Sequence, residues 1–135
     1  MNTQKTEDYV SFETAKLLKE KGFPQDTVSC NTCYKYNGNF CNNARSMSGV
    51  DREICYIAPT KYMALKWLRD LPEIAYCIFI FADGEMGELH YVFEIQEINN
   101  DLLKCNGSLE IEYNCFDTYE EACEAAIKYC LENLI

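Results

Sequence analysis

Residues 74–81 constrain the fold of this chain more than any other segment, because they are apolar on both sides of an extended backbone. Positions that alternate along the run are all aliphatic, aromatic or cysteine: Ile74, Tyr76, Ile78 and Ile80 on one side and Ala75, Cys77, Phe79 and Phe81 on the other. The run is short and rich in β-branched and aromatic residues. It therefore predicts a strand in the interior of a sheet.

Two strand patterns follow this run and predict an antiparallel meander. Residues 83–88 contain two glycines and predict a turn, after which residues 89–98 place Leu89, Tyr91, Phe93 and Ile95 on one face. Asn106-Gly107 predicts a hairpin turn before the alternating residues 109–114.

An earlier hairpin is predicted at Asn37-Gly38, where both turn residues need positive φ. A two-residue turn there pairs Tyr34 with Cys41, so Cys33 and Cys41 are expected on opposite faces. Residues 42–53 are small and polar and predict a loop.

Three amphipathic segments predict helices. The first follows Ser11 as N-cap and ends at Gly22, the second starts at Pro59-Thr60 and ends at Pro72, and the third follows Asp117 or Thr118. We therefore expect an α+β fold, with an antiparallel hairpin and meander sheet and about three helices packed on one of its faces. The 135 residues predict a single globular domain over 1–135.

The formal net charge is −10, and its distribution is uneven. Residues 1–57 hold seven basic and seven acidic residues, whereas residues 58–135 hold five basic and fifteen acidic residues. The acidic excess is typical of a solvated face; it is also compatible with a decoy that mimics nucleic acid and occupies a basic protein. Direct binding of DNA or RNA is disfavoured, since no cluster of Lys and Arg is present.

Nine cysteines suggest a metal site or disulfides, but the polar N-terminus shows no secretory signal, so reduced thiols in the cytoplasm are expected. Cys77, Cys123 and Cys130 fall on apolar stripes and are predicted as core residues. The alternative is a structural zinc site of four thiolates: Cys30, Cys33, Cys41 and Cys55. Against it, no second closely spaced cysteine pair accompanies Cys30 and Cys33, and no other cofactor is indicated.

His90 is the single histidine and belongs to the strand over residues 89–98. A Cys–His nucleophile pair is possible in principle, but nothing fixes its partner. Phosphate-binding, dinucleotide-binding, serine-hydrolase and zinc-protease motifs are all absent from the sequence. No catalytic residue is therefore assigned, and binding is favoured over an enzymatic activity.

Tyr34 and Tyr36 lie at the first hairpin, where they either cover the edge of the core or anchor a partner. Apolar runs are far shorter than a membrane span. The sequence thus favours a small cytoplasmic accessory protein that binds another protein or a second copy of itself.

Three helical stretches carry a resemblance to a known group. They are residues 9–23 (YVSFETAKLLKEKGF), residues 58–69 with their APT and KWLR ends, and residues 119–131 beginning YEEA. They resemble small proteins of unknown function from gut anaerobes, often in prophage or other mobile-element regions. The resemblance implies an intracellular accessory role and carries over no catalytic or binding residue.

Overall fold

The computed structural model describes residues 8–27, 30–50, 54–71, 76–85, 88–98, 105–108 and 116–135. These residues form helices and antiparallel sheets, which confirms the predicted α+β class. The chain divides into two compact units, Met1–Ala64 and Leu65–Ile135, and each is described by itself. The expectation of a single domain over residues 1–135 stays a prediction.

The first unit opens with helix α1 (Phe12–Glu20), whose ends form as its sequence predicts. The Ser11 side chain accepts a hydrogen bond from the Thr14 N–H at 3.2 Å, which satisfies one free donor of the first turn. Gly22 takes a φ of +101°, and the Phe23 N–H donates to the Leu18 carbonyl at 2.8 Å. This left-handed C-terminal motif returns Phe23 to the core, where it is buried.

The first sheet has the order β2-β1-β3, with β1 at Cys33–Tyr34, β2 at Phe40–Cys41 and β3 at Tyr56–Ile57. Its hairpin turn holds three residues, 36–38, because the Lys35 N–H donates to Asn39 and the Gly38 N–H donates to Lys35, both at 2.8 Å. The predicted two-residue turn is therefore wrong. Only Gly38 needs a positive φ, +94°, as in a type I turn followed by a glycine bulge.

The added turn residue shifts the register of the hairpin by one position. Tyr34 pairs with Phe40, and Cys33 pairs with Cys41. Cys33 and Cys41 therefore point to the same face of the sheet, and the prediction that they point to opposite faces is wrong.

One face of this sheet is aromatic and is covered by α1. The Phe12 ring lies 5.5 Å from the Tyr34 ring and 5.7 Å from the Tyr56 ring, measured between centroids. The Tyr34 ring lies 5.3 Å from the Phe40 ring, and the Tyr9 ring lies 5.3 Å from the Phe40 ring. These tilted and edge-on pairs bring the helix and all three strands into one aromatic cluster.

Helix α2 (Lys61–Asp70) begins where predicted, since the Thr60 hydroxyl accepts from the Met63 N–H at 3.2 Å. Ala64, Leu65 and Leu68 are buried along it. On its outer face Lys66 and Asp70 form an exposed ion pair at 3.1 Å, of a kind that adds little stability.

The second unit contains the sheet β4-β5-β6, with β4 at Tyr76–Glu85, β5 at Glu88–Ile98 and β6 at Cys105–Ser108. Among the strands that the structure describes, β4 pairs with β5 alone and so lies at the edge of this sheet, whereas its sequence predicts an interior strand. The predicted turn at Asn106-Gly107 is also wrong, since both residues lie within β6. The pairing register between β5 and β6 shifts by one residue beside them. Such a β-bulge allows an Asn-Gly pair to lie within a strand without forming a turn.

Helix α3 (Tyr119–Asn133) covers one face of this second sheet. Thr118 is its N-cap and accepts from the Glu121 N–H at 3.1 Å, while the Glu121 carboxylate accepts from the Asp117 N–H. On β5, the Tyr91 ring lies 6.2 Å from the Tyr119 ring and the Phe93 ring lies 6.2 Å from the Tyr129 ring. The predicted buried stripe of this helix is confirmed from Ala122 to Leu131, whereas Tyr119, which the same pattern included, is 47% exposed.

The described strands therefore form two separate sheets, where the sequence predicts one sheet with helices on one face. The hairpin strands gain their third strand from β3, which at two residues is too short to predict from periodicity. The alternating residues 109–114, with Glu110 and Glu112, lie outside the described residues.

Candidate functional site

Three cysteines share the second face of the first sheet, opposite the aromatic cluster. Cys33 is the direct partner of both Cys41 and Ile57 on its two neighbouring strands. Cys55 precedes Ile57 by two positions and so lies on the same face. The Cys33 thiol donates to the Met47 thioether at 3.4 Å. We call Cys33, Cys41, Cys55 and Met47 the sulfur cluster.

Burial sets the protonation state of the central thiol. Cys33 is fully buried, and its pKa is raised from 9.0 to about 12, chiefly by this desolvation. The side chains of Cys55 and Cys41 contribute to the same increase, because the negative charge that each can carry and the hydrogen bond that each makes favour the neutral Cys33 thiol. Cys33 is therefore a protonated thiol at neutral pH.

Cys30 would be the fourth ligand of the alternative zinc site, but the contacts of its sulfur are with residues outside the sulfur cluster. Its sulfur lies 3.2 Å from the Thr32 hydroxyl and donates to the Ala58 carbonyl at 3.5 Å. Among the residues that the structure describes, no group of three or more His, Cys, Asp or Glu is placed to hold a metal ion. The fold thus brings together Cys33, Cys41 and Cys55 but leaves Cys30 out.

Cys41 is the accessible member of the sulfur cluster. It is half-buried and lines an open depression of about 610 Å³ on the outside of the hairpin. The other lining residues are Lys35, Asn39, Phe40 and Asn42. A cationic and amide-rich rim of this kind suits a small ligand that carries carboxylate or peptide groups.

Two further cysteines with described side chains belong to the second unit. Cys123 and Cys130 are buried on α3, as predicted, and burial raises the pKa of the Cys130 thiol to about 12. Cys115 and the side chains of Cys77 and Cys105 lie outside the described part of the structure. The prediction of a core position for Cys77 therefore stays a prediction.

His90 lies on β5, opposite Asp83 on β4, and is half-buried. The depression at the first hairpin does not include it. The structure therefore keeps His90 apart from the residues that line this depression.

The two hairpin tyrosines have different environments. Tyr34 is buried and its hydroxyl donates to the Val10 carbonyl at 2.8 Å. Tyr36 is 66% exposed. Of the two predicted partner anchors, Tyr36 alone is placed at the surface, and Tyr34 belongs to the core.

A second candidate surface is the outer strand β4, which periodicity had placed in the interior. Phe79 and Phe81 are each 43% exposed on it. They pair with Glu94 and Val92 of β5 and project from the face opposite to the one that α3 covers. The sequence signal for this surface was the two-sided apolar run, which periodicity alone cannot distinguish from a buried strand.

Met47 is the member of the sulfur cluster that sequence reasoning missed. It is the one large apolar side chain among the small and polar residues 42–49, and that contrast was the available signal that this loop covers a sheet face.

Comparisons with protein-family models, with curated proteins and with solved structures find no match to this chain. In the described residues, no helix has both the length and the apolar character needed to cross a membrane. Inferences about function therefore rest on the two surfaces above.

Proposed function

We propose that this chain is a small cytoplasmic accessory protein that binds another protein, and that β4 takes up an extended, basic segment of that partner as an additional strand. The observation that carries the proposal is the exposed apolar character of β4 at the described edge of its sheet. The accessory and cytoplasmic parts of the proposal rest on the helical resemblance.

An outer strand offers backbone hydrogen-bonding groups to an incoming chain. β4 is ten residues long, and its pairing with β5 extends from Tyr76 to Glu85. Natural edge strands are commonly short, charged or interrupted by proline, because a long apolar edge pairs with other chains. Phe79 and Phe81 add exposed apolar side chains that an added strand can cover.

The acidic excess around β4 favours a partner segment that is positively charged. Residues 58–135 carry fifteen acidic and five basic side chains, and the half-buried Glu94 lies directly across from Phe79. A segment that alternates basic and apolar residues complements both the negative charge and the phenylalanines.

The same charge disfavours a second copy of this chain as the occupant of the edge. Two copies paired along β4 bring together two segments that each carry a large acidic excess. Like-charge juxtaposition of this kind costs free energy and is most severe at low ionic strength. A basic segment of another protein is therefore the occupant that the charge favours.

The test uses the full chain and an eight-residue fluorescent peptide that alternates lysine and valine. We expect this peptide to bind at least about tenfold more tightly than a peptide that alternates glutamate and valine, a difference of about 1.4 kcal/mol. Hydrogen exchange should show added protection of β4 amides on binding, and the affinity should fall as salt is raised.

The variant Phe79→Ser/Phe81→Ser should weaken binding, whereas Tyr62→Ser, which alters an even more exposed aromatic residue on α2, should not. Circular dichroism establishes that both variants are folded. Equal binding of the basic and acidic peptides, or protection that falls outside β4, contradicts the proposal.

A further inference from the structure

Cys33 and Cys41 are direct cross-strand partners, and the Cα separation that is typical of such a pair lies within the range that a disulfide spans. They are direct partners, and the alternation that starts at the Lys35–Asn39 hydrogen bond makes them a hydrogen-bonded pair. Such pairs have Cα atoms about 5.5 Å apart. Disulfides span Cα separations of about 4.4 to 6.8 Å, so this pair lies within the range.

Cys55 also contacts Cys33 through its side chain, but it lies just outside β3 and is not the direct partner of Cys33 in the sheet. The direct partner of Cys33 on β3 is Ile57, so Cys55 is a diagonal neighbour. Diagonal Cα atoms lie about 7–8 Å apart in an antiparallel sheet, which exceeds the separation that a disulfide bridges. The register therefore selects Cys41 as the bonding partner of Cys33.

The two thiols differ in their accessibility to a small molecule, and this difference sets the order in which they react. Cys41 lines the open depression beside Lys35, Asn39 and Asn42. Cys33 is fully buried behind it and donates to Met47. A small molecule in the depression meets Cys41 first and reaches Cys33 only through Cys41.

We propose that Cys41 is a thiol-modification site for small disulfides of the glutathione class, with Cys33 as the resolving thiol that closes a cross-strand disulfide. In the first step the Cys41 thiolate attacks one sulfur of the small disulfide, forms a mixed disulfide and releases one small thiolate. In the second step Cys33 loses its proton to water, attacks the Cys41 sulfur and releases the second small thiolate. One small disulfide is reduced to two thiols, and the cysteine pair is oxidised.

The environment of Cys33 makes the second step slow and dependent on pH. Its pKa of about 12 keeps the thiol protonated, and the thiolate is the species that attacks a disulfide. The rate of bridge closure should therefore rise about tenfold per pH unit from pH 7 to 9. The mixed disulfide at Cys41 should accumulate at the lower pH.

Formation of the Cys33–Cys41 disulfide also affects the segment with Ala44 and Met47, which packs over the sulfur cluster. A bridge to Cys41 removes the thiol proton that Cys33 donates to Met47 at 3.4 Å. The neighbouring Ala44, which is fully buried, belongs to the same covering segment. Oxidation should therefore increase hydrogen exchange in residues 44–47 while the aromatic face of the sheet stays protected.

The experiment treats the reduced, folded full chain with glutathione disulfide and maps the products by peptide mass spectrometry. Wild type should yield a Cys33–Cys41 bridge. Cys33→Ser should stop at one glutathionyl group on Cys41, and Cys41→Ser should leave Cys33 as a thiol. The matched control Cys55→Ser should still form the Cys33–Cys41 bridge.

A second measurement needs no variant and so does not depend on whether the variants fold. Alkylation of wild type with iodoacetamide under native conditions should label Cys41 at least about a hundredfold faster than Cys33, because Cys33 is fully buried and its raised pKa keeps it protonated. A bridge from Cys33 to Cys55 or Cys30, or equal labelling of Cys41 and Cys33, overturns the proposal. This result is independent of whether β4 binds a peptide.

Discussion

The buried thiol of Cys33 makes the stability of the first unit depend on alkaline pH. Its pKa is about 12 in the folded chain against 9.0 for the free side chain. Between these two values the folded state binds more protons than the unfolded state, so the free energy of unfolding decreases as the pH rises. The equilibrium constant for unfolding therefore rises about tenfold per pH unit, and the free energy of unfolding falls by about 4 kcal/mol over the whole interval.

The variant Cys33→Ala isolates this contribution from the other groups that titrate above pH 9. At pH 7 removal of the buried sulfur should cost about 1 kcal/mol. Because the variant lacks the titrating group, wild type should lose this advantage near pH 10 and be the less stable protein at pH 11. Urea unfolding followed by circular dichroism at pH 7, 9, 10 and 11 measures the difference.

The matched control is Ala44→Gly, which changes a fully buried residue that does not titrate. Its cost should be the same at every pH. If the stability difference between wild type and Cys33→Ala stays constant from pH 7 to 11, Cys33 does not occupy the buried environment described here.

Two further substitutions test the first unit, each by the midpoint of urea unfolding. Gly38→Ala should cost about 1–2 kcal/mol, because Gly38 has a φ of +94° that a residue with a Cβ rarely adopts, while the added Cβ makes only an ordinary contact with the Phe12 ring at 3.5 Å; an unchanged midpoint contradicts the three-residue turn. Tyr34→Phe should cost about 1–3 kcal/mol by leaving the buried Val10 carbonyl without its 2.8 Å hydrogen bond. The same change at the exposed Tyr36 should have an effect within about 0.5 kcal/mol, and equal effects at the two positions contradict the assignment of Tyr34 to the core.

Helix ends and buried stripes could be predicted from the sequence because they depend on local interactions. Ser11, Gly22 and Thr118 act within one turn of their own helix, and the α3 stripe depends only on a period of 3.6 residues. These elements needed no knowledge of what they pack against.

Strand pairing could not be predicted in the same way, because it depends on residues distant in sequence. Asn37-Gly38 and Asn106-Gly107 carry the same local signal, yet the first lies in a three-residue turn and the second inside a strand. Two-residue turns and glycine bulges both use Asn-Gly, so the dipeptide alone does not choose between them.

The sulfur cluster shows how a shift of one residue changes a functional interpretation. With Tyr34 paired to Cys41, Cys33 and Cys41 lie on opposite faces and cannot react with each other. With Tyr34 paired to Phe40, the two cysteines are direct partners on one face. The identity of the candidate site is therefore set by the turn and not by the spacing of the cysteines.

The register of the first hairpin is measured most directly by nuclear Overhauser effects between Hα protons of β1 and β2. Tyr34 and Phe40 form a pair without mutual backbone hydrogen bonds, and such Cα atoms approach to about 4.5 Å. A strong Hα–Hα effect between Tyr34 and Phe40 is the predicted result. An effect between Lys35 and Phe40 in its place indicates the two-residue turn, which puts Cys33 and Cys41 on opposite faces. That result contradicts the division of this sheet into an aromatic face and a sulfur face, and with it the proposed thiol site.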